Sequence, residues 1–253
     1  GLKDAKRQSP STALADVAQS VTGVILGIFL FCHMAFTSSV QISKDLFANL
    51  INTSGGMFMF AEEQAWLHVV FVGFITLCVV IHAFCALRRF PTSYHQLRDI
   101  KAHYKMLRHE DTTLWMVQLV TAFLLFIFVF PHLISMLCNP HGFDVNLIGV
   151  HTHHMGMIYT FVFLVITELH GMIGLYRLAV KWDIFAKNPE TDIIDQRNGD
   201  RAGLRKTFLF IALLMIVCGT LTAWKNYSIG AELIENGQEA TRYVLADENN
   251  WWK

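Results

Sequence analysis

Residues 17–43, 64–87, 112–143 and 207–224 contain no Asp, Glu, Lys or Arg, and residues 145–176 contain only Glu168. The hydrocarbon core of a bilayer is crossed by about 20 apolar residues at 1.5 Å rise each. Each of the five stretches is long enough to span, the last being short at its charged ends. A segment in lipid must satisfy its own backbone hydrogen bonds, so helices are the expected spanning form. The sequence predicts an all-α integral membrane bundle of five transmembrane helices. Their expected ranges are roughly 17–43, 64–87, 112–138, 152–176 and 207–226, in one membrane domain over 1–228. Residues 229–253 read as a polar, acidic extracytoplasmic tail.

Alternate helices run in opposite directions, which sorts the loop charges into two sides. One side holds sixteen Lys and Arg, in residues 3–7, 88–108 and 177–206; the other holds Lys44, Lys225, Arg242 and Lys253. The positive-inside rule therefore predicts a cytoplasmic N-terminus and an extracytoplasmic C-terminus. A cleavable signal peptide is not expected, because residues 1–16 are polar and the following apolar run is too long for one. The formal net charge is zero, which gives a nucleic-acid role no electrostatic support. The connection 91–110 is too polar to span. Asn188-Pro189, Thr53-Ser54-Gly55-Gly56 and Asn139-Pro140 read as turns in the other loops. No internal repeat is expected. The five cysteines form no C-x-x-C and no C-x-x-C-H, so they read as small buried residues, and any haem is held without thioether links.

Four of the five apolar runs carry a histidine deep inside: His33, His82, His132 and His170. An ionisable group at such depth is costly and points to function. With the helices alternating in direction, His33 and His132 fall toward the outside, and His82 and His170 toward the inside. The two levels differ by roughly 15 Å at helical rise. Two depth-matched pairs of neutral imidazoles suit two stacked, bis-histidine, low-spin haems, tuned by burial and by hydrogen bonds to the ligands. A lone histidine in a bundle more often bonds a neighbouring helix, but that account leaves the matched depths unexplained. Gly23, Gly27, Gly171 and Gly174 flank these histidines and serve equally well for a flat macrocycle or for helix packing. Pro131, just before His132, is expected to kink the third span.

Several runs bear a further resemblance: Gly27-x-x-x-x-x-His33-Met34, His82-Ala83-Phe84 with Arg89-Phe90-Pro91, and Arg108-His109-x-Asp111-Thr112-Thr113-Leu114-Trp115. The longest is Glu168-Leu169-His170-Gly171-x-x-Gly174-Leu175-Tyr176-Arg177-Leu178-Ala179-Val180-Lys181-Trp182. Over about residues 15–225 the chain resembles the di-haem cytochrome b membrane anchors of fumarate reductases and succinate dehydrogenases, the five-helix, single-anchor type. The resemblance implies two non-covalent haems b: an outer one ligated by His33 and His132, an inner one by His82 and His170. It implies that Gln19, Ser20, Trp115 and Lys181 surround the inner haem propionates. It also implies a quinone such as menaquinone, with an iron–sulfur subunit and an FAD-bearing catalytic subunit docked on the basic cytoplasmic side. A dimer of such heterotrimers in the bacterial inner membrane, contacting lipid, completes the expectation.

Two carboxylate positions bear on protons. The residue matching Glu168 is proposed in the family to pass protons across the membrane. Glu168 lies two residues before His170, about 200° round the helix, and so faces elsewhere. A buried acid bonded to a neighbour is the plainer account. Family members can carry a Glu at the outer start of the second span that accepts a quinol proton, and the ungapped match here is Gly55. Glu62, Glu63 or His68 are the candidate replacements, against the ordinary reading of solvated loop acids. The histidines His141, His151, His153 and His154 add further proton-handling groups on that side. Two other readings remain: the cytochrome b anchor of another membrane dehydrogenase, and a haem-free helical membrane protein.

Overall fold

The computed structural model describes residues 10–56, 59–60, 64–88, 93, 95–96, 98–99, 102, 110–184 and 194–245. Among them all regular structure is helical: α1 (Pro10–Ser38), a 3-10 turn (Ser39–Gln41), α2 (Lys44–Ser54), α3 (Ala65–Leu87), α4 (Glu110–Cys138), α5 (Val145–Met155), α6 (Met157–Lys181) and α7 (Ile194–Glu235). Five of these are long and apolar enough to cross a membrane: α1 with the turn after it, α3, α4, α6 and α7. Their outward faces are oily, with Phe71, Phe74 and Phe84 on α3 and Phe123 and Ile127 on α4 exposed. Such surface is stable only in contact with lipid or another apolar surface.

The structure departs from the expected segment ends in three places. The fourth run, expected as one helix over 152–176, is divided by Gly156 at φ +83°, with α5 before it and α6 continuing to Lys181. Asp144 begins α5 by accepting from the backbone N–H groups of Asn146 and Leu147, an N-cap that starts a helix inside a stretch read as a loop. The loop 44–61 likewise holds α2, whose N-cap Ser43 accepts from the Leu46 N–H at 2.9 Å. The last helix, expected over 207–226, runs from Ile194 to Glu235. Residues 229–235, read as the start of a polar tail, are therefore helix. Ile229 is buried there against Val40, Phe47, Ala48, Ile51 and Val145, forming a cap at one end of the bundle. Pro131 sits within α4, and the helix is assigned on both sides of it.

The helices pack in a definite order. α1 lies along α3, α3 touches α4, α4 lies along α6, and α6 closes back on α1. These four helices carry His33, His82, His132 and His170, one each. α7, with none of the four, packs outside that ring against α6, α5 and α1. A second buried apolar cluster fills that outside seam, where Met172 meets Ala212 and Met215 with Leu30, Met34 and Leu175 around them. Among the described residues both buried apolar clusters lie off the four-histidine interior.

Candidate functional site

His82 and His170, expected on the inner side, lie close together. The His82 and His170 ring centroids are 6.5 Å apart with planes at 88°. Each ring is held on its Nδ1 side by the helix beside it. Thr22 Oγ1 lies 3.2 Å from His82 Nδ1, and the Gln19 carbonyl is also at 3.2 Å. Thr121 Oγ1 lies 3.2 Å from His170 Nδ1, and the Gln118 backbone reaches the same ring. The direction of these bonds follows from the threonines. Thr22 and Thr121 each donate their hydroxyl hydrogen to the carbonyl one turn back, Ala18 and Val117, at 2.7 Å. What remains on Oγ1 is a lone pair, so each ring Nδ1–H donates to it. Each Nε2 is then the unprotonated nitrogen. The Gln118 side-chain amide stands 3.5 Å from His170 Nε2, at the limit of a hydrogen bond.

These residues fit a bis-histidine metal centre. An imidazole nitrogen sits roughly 2 Å from a first-row metal and roughly 1 Å from its own ring centre, so two rings sharing one metal have centres about 6 Å apart. The observed spacing matches, and the tautomers supply two free Nε2 lone pairs. Gln19 Oε1 and Gln118 Oε1 are buried without hydrogen-bond partners among the described residues. A Cβ on Gly23 would stand 3.3 Å from the His82 ring, and one on Gly174 would stand 3.0 Å from the Gln118 amide. By contrast, Gly27 and Gly171 meet Leu175 and Leu30 across the α1–α6 contact. The four glycines thus divide: two make room at the histidines and two serve packing.

Of the other inner candidates, Lys181 Nζ donates to Ser20 Oγ at 3.2 Å, tying the end of α6 to the start of α1. Ser20 is buried, and Trp115 is half-buried one turn before Gln118. Nearby, Arg88 pairs with Asp16 and donates to the Thr12 carbonyl, pinning α3 to α1 at that end. The outer histidines have aromatic surroundings. His33 stacks on Phe29 at 5.3 Å, and His132 meets Phe163 edge-on at 5.5 Å. His33 and His132 lie within electrostatic range of each other, and His151 of α5 is within range of His132. Burial, aided by His154, lowers the pKa of His151.

Glu62 and Glu63 lie outside the described residues. His68 is buried at the start of α3, stacked on Phe143 at 4.3 Å, with Ser54 Oγ 3.2 Å from its Nε2. It therefore lies against the residue next to Gly55, the position matched to the family's quinone-side Glu. Glu168 is fully buried and neither carboxyl oxygen has a hydrogen-bond partner among the described residues. It is not with the histidines. Met172, one turn on, packs with Met34 and Met215, and Leu164, one turn back, lies beside Met34 at Gly219. Glu168 thus faces the α1–α6–α7 seam.

Residues 95–222 match the succinate dehydrogenase/fumarate reductase transmembrane subunit family. A fumarate reductase cytochrome b subunit of Helicobacter pylori is 34% identical, the match covering 100% of this chain and 95% of that protein. The fumarate reductase cytochrome b subunit of Wolinella succinogenes is 32% identical, over 88% of this chain and 84% of that protein. The chain belongs to that family. As a succinate dehydrogenase/fumarate reductase transmembrane subunit it is a membrane protein of five apolar helices. Thr22, Thr121 and Gln118 were not among the residues singled out from the sequence. A signal for them was present. Gln19-x-Val21-Thr22-Gly23 precedes His33 with the same spacing by which Gln118-x-Val120-Thr121-Ala122 precedes His132. The expectation of no internal repeat is corrected by this pair. It is easily overlooked because five of the eight side chains shared over fifteen positions are apolar, as in any two membrane spans.

Proposed function

We propose that this chain is the membrane anchor and electron conduit of a fumarate reductase or succinate dehydrogenase. It exchanges electrons between a membrane quinone, such as menaquinone, and partner subunits carrying iron–sulfur clusters and FAD. The dicarboxylate chemistry belongs to the flavoprotein partner. The observation that carries this reading is the His82–His170 pair: two imidazoles with centroids 6.5 Å apart, each with its Nδ1 3.2 Å from a threonine hydroxyl that also bonds its own helix. Family membership supports the rest.

His82 and His170 would hold an inner haem b and His33 and His132 an outer one. Bound haem iron supplies one-electron carriers that relay charge between the two faces. The chain's own residues do the remaining work. Thr22, Thr121 and the Gln19 and Gln118 backbones orient the inner ligands. Ser20, Lys181, Gln19 and Trp115 stand at the inner end, where a hydroxyl, an ammonium, an amide and an indole N–H suit two propionates. Among the described residues His68, held by Ser54 and Phe143, is the group that would take a quinol proton where the family's Glu is replaced by Gly55. Glu168 carries protons through the α1–α6–α7 seam, apart from the electron path. The basic loops face the cytoplasm and the two partner subunits, the membrane being the bacterial inner membrane and the assembly a dimer of heterotrimers.

The test is haem extraction from the purified complex. Two non-covalent b haems per anchor chain, with iron–sulfur and flavin subunits co-purifying, are expected. A complex that yields no extractable haem would overturn the reading. A haem-bearing chain that purifies with hydrogenase or formate dehydrogenase subunits would replace it.

A further inference from the structure

The duplicated segment has a structural counterpart. On α1, the Gln19 carbonyl and the Thr22 hydroxyl hold the ring of His82, which comes from the neighbouring α3. On α4, the Thr121 hydroxyl holds the ring of His170, which comes from the neighbouring α6, and the Gln118 backbone lies close to that ring. In both cases the same helix supplies an outer histidine eleven residues after the threonine, His33 and His132. Eleven residues of helix rise about 16 Å. The pairs α1–α3 and α4–α6 are also helix pairs that lie along each other. Residue identity, spacing, partner atom and packing partner therefore all repeat.

We infer that α1–α3 and α4–α6 are two equivalent half-sites, in which Thr22 and Thr121 are the positioning residues that fix the tautomer of the inner axial ligands. The inference rests on the haem reading above. It assigns two hydroxyls that otherwise pass as helix back-bonding threonines. Because each hydroxyl hydrogen is spent on its own helix, Oγ1 can only accept, and a ring turned to present Nδ1 to the metal would lose that bond. A ring Nδ1–H that donates to a fixed oxygen is a more basic ligand through Nε2. A more basic ligand favours ferric over ferrous iron, so the two threonines hold the inner potential down.

The experiment uses the intact, haem-loaded complex carrying Thr22→Val or Thr121→Val, isosteric changes that remove the hydroxyl, and with it both the acceptor for the ring and the bond to the Ala18 or Val117 carbonyl. Optical redox titration resolves the two haems, the inner one being identified as that lost in His82→Ala. Each Val variant is expected to shift the inner midpoint potential upward and to weaken inner haem retention about 10–100-fold. The outer midpoint should stay in place, and Thr22→Ser and Thr121→Ser should restore both properties. Loss of the inner haem alone in a Val variant, with retention in the Ser variant, also bears the inference out. Two retained haems with unmoved midpoints in both Val variants would overturn it. So would loss of both haems in Val and Ser variants alike, which marks the positions as folding residues. Absence of an inner haem from the unmodified complex sinks the haem reading itself and is seen before any variant is made.

Discussion

The closest backbone approach among the described glycines gives a prediction with a magnitude. A Cβ added to Gly230 of α7 would fall 2.2 Å from the Gly149 carbonyl oxygen of α5, 2.6 Å from its carbonyl carbon and 2.8 Å from the His153 Cβ. Ordinary contact begins at about 3.4 Å, so the shortfall exceeds 1 Å, and two of the obstacles are backbone atoms that no rotamer can move. Gly230→Ala must push α5 and α7 apart along a line that also carries Ile229 and Val145 of the buried cap. Overpacking of this kind costs about 1–3 kcal/mol. For a chain of this size that lowers the apparent Tm by roughly 2–12 °C. Gly203 on the same helix is the control, since a Cβ there meets nothing within 4 Å. Gly203→Ala should be neutral or stabilising by up to about 1 kcal/mol through helix propensity. Gly149→Ala should fall between, because its obstacles stand further off: Ile229 Cγ2 at 2.9 Å and the Asn226 O and Gly230 N at 3.1 Å. Thermal unfolding of the three variants in one detergent, followed by cysteine accessibility, gives the order. If Gly230→Ala melts with Gly203→Ala, the two helices do not cross at these glycines and the argument fails.

Four further outcomes are expected. His82→Ala should lose the inner haem and keep the outer; two bis-histidine haems in that variant would break the pairing. Glu168→Gln should retain both haems and lower quinone-linked turnover about tenfold or more, the scale of a lost proton-transfer group, and unchanged turnover removes Glu168 from the mechanism. Asp144→Ala removes the acceptor for the Asn146, Leu147 and Tyr243 N–H groups, so it should cost about 2–3 kcal/mol and expose residues 236–245 to protease. The Tyr243 phenol, raised to about 12 by burial and by its hydrogen bond to Asp45, stays protonated in the fold past the pH at which an unfolded tyrosine ionises. Its stabilisation is complete below about pH 10 and is lost as pH rises toward 12. An ultraviolet titration of the protein minus Tyr243→Phe should place that phenol near 12, and a step at 10 would refute the contact.

The spanning helices are legible because lipid allows the backbone one answer, so a charge-free run of sufficient length is already a structural statement. That His82 and His170 meet is legible for a related reason. Helix direction alternates, so residue number converts to depth, and His82 and His170 come out level. What depth cannot give is rotation about the helix axis, which decides that Gly23 faces a histidine and Gly27 faces Leu175. The short helices α2 and α5 were missed because eleven residues carry too weak a periodic signal against an apolar background. Their N-caps, Ser43 and Asp144, were the readable clues. The length of α7 was missed because Asn226, Tyr227 and Ser228 look like the end of a span. They continue the helix because α5 supplies a second wall, so that Asn226 and Ile229 are buried rather than wet.

The bundle separates its two kinds of polar group by geometry. The four histidine helices close a ring whose interior receives the imidazoles, while Glu168, the one acid within the five apolar runs, turns the other way. On α6, 200° separates Glu168 from His170, and that rotation carries the carboxyl out of the ring into the seam covered by α7. The seam is polar further along. Ser38 of α1 contacts Cys218 of α7 and accepts a hydrogen bond from Thr222, and one turn beyond Thr222 the buried Asn226 keeps its Oδ1 without a donor among the described residues. Helix α7 brings none of the four histidines, yet without it Glu168, Ser38 and Met172 would all face lipid. An acid facing hydrocarbon is far costlier than one enclosed between helices. The fifth helix is therefore explained by the carboxylate rather than by the histidines. This separation is what allows Glu168→Gln and His82→Ala to be read independently, since neither substitution touches the surface on which the other residue lies.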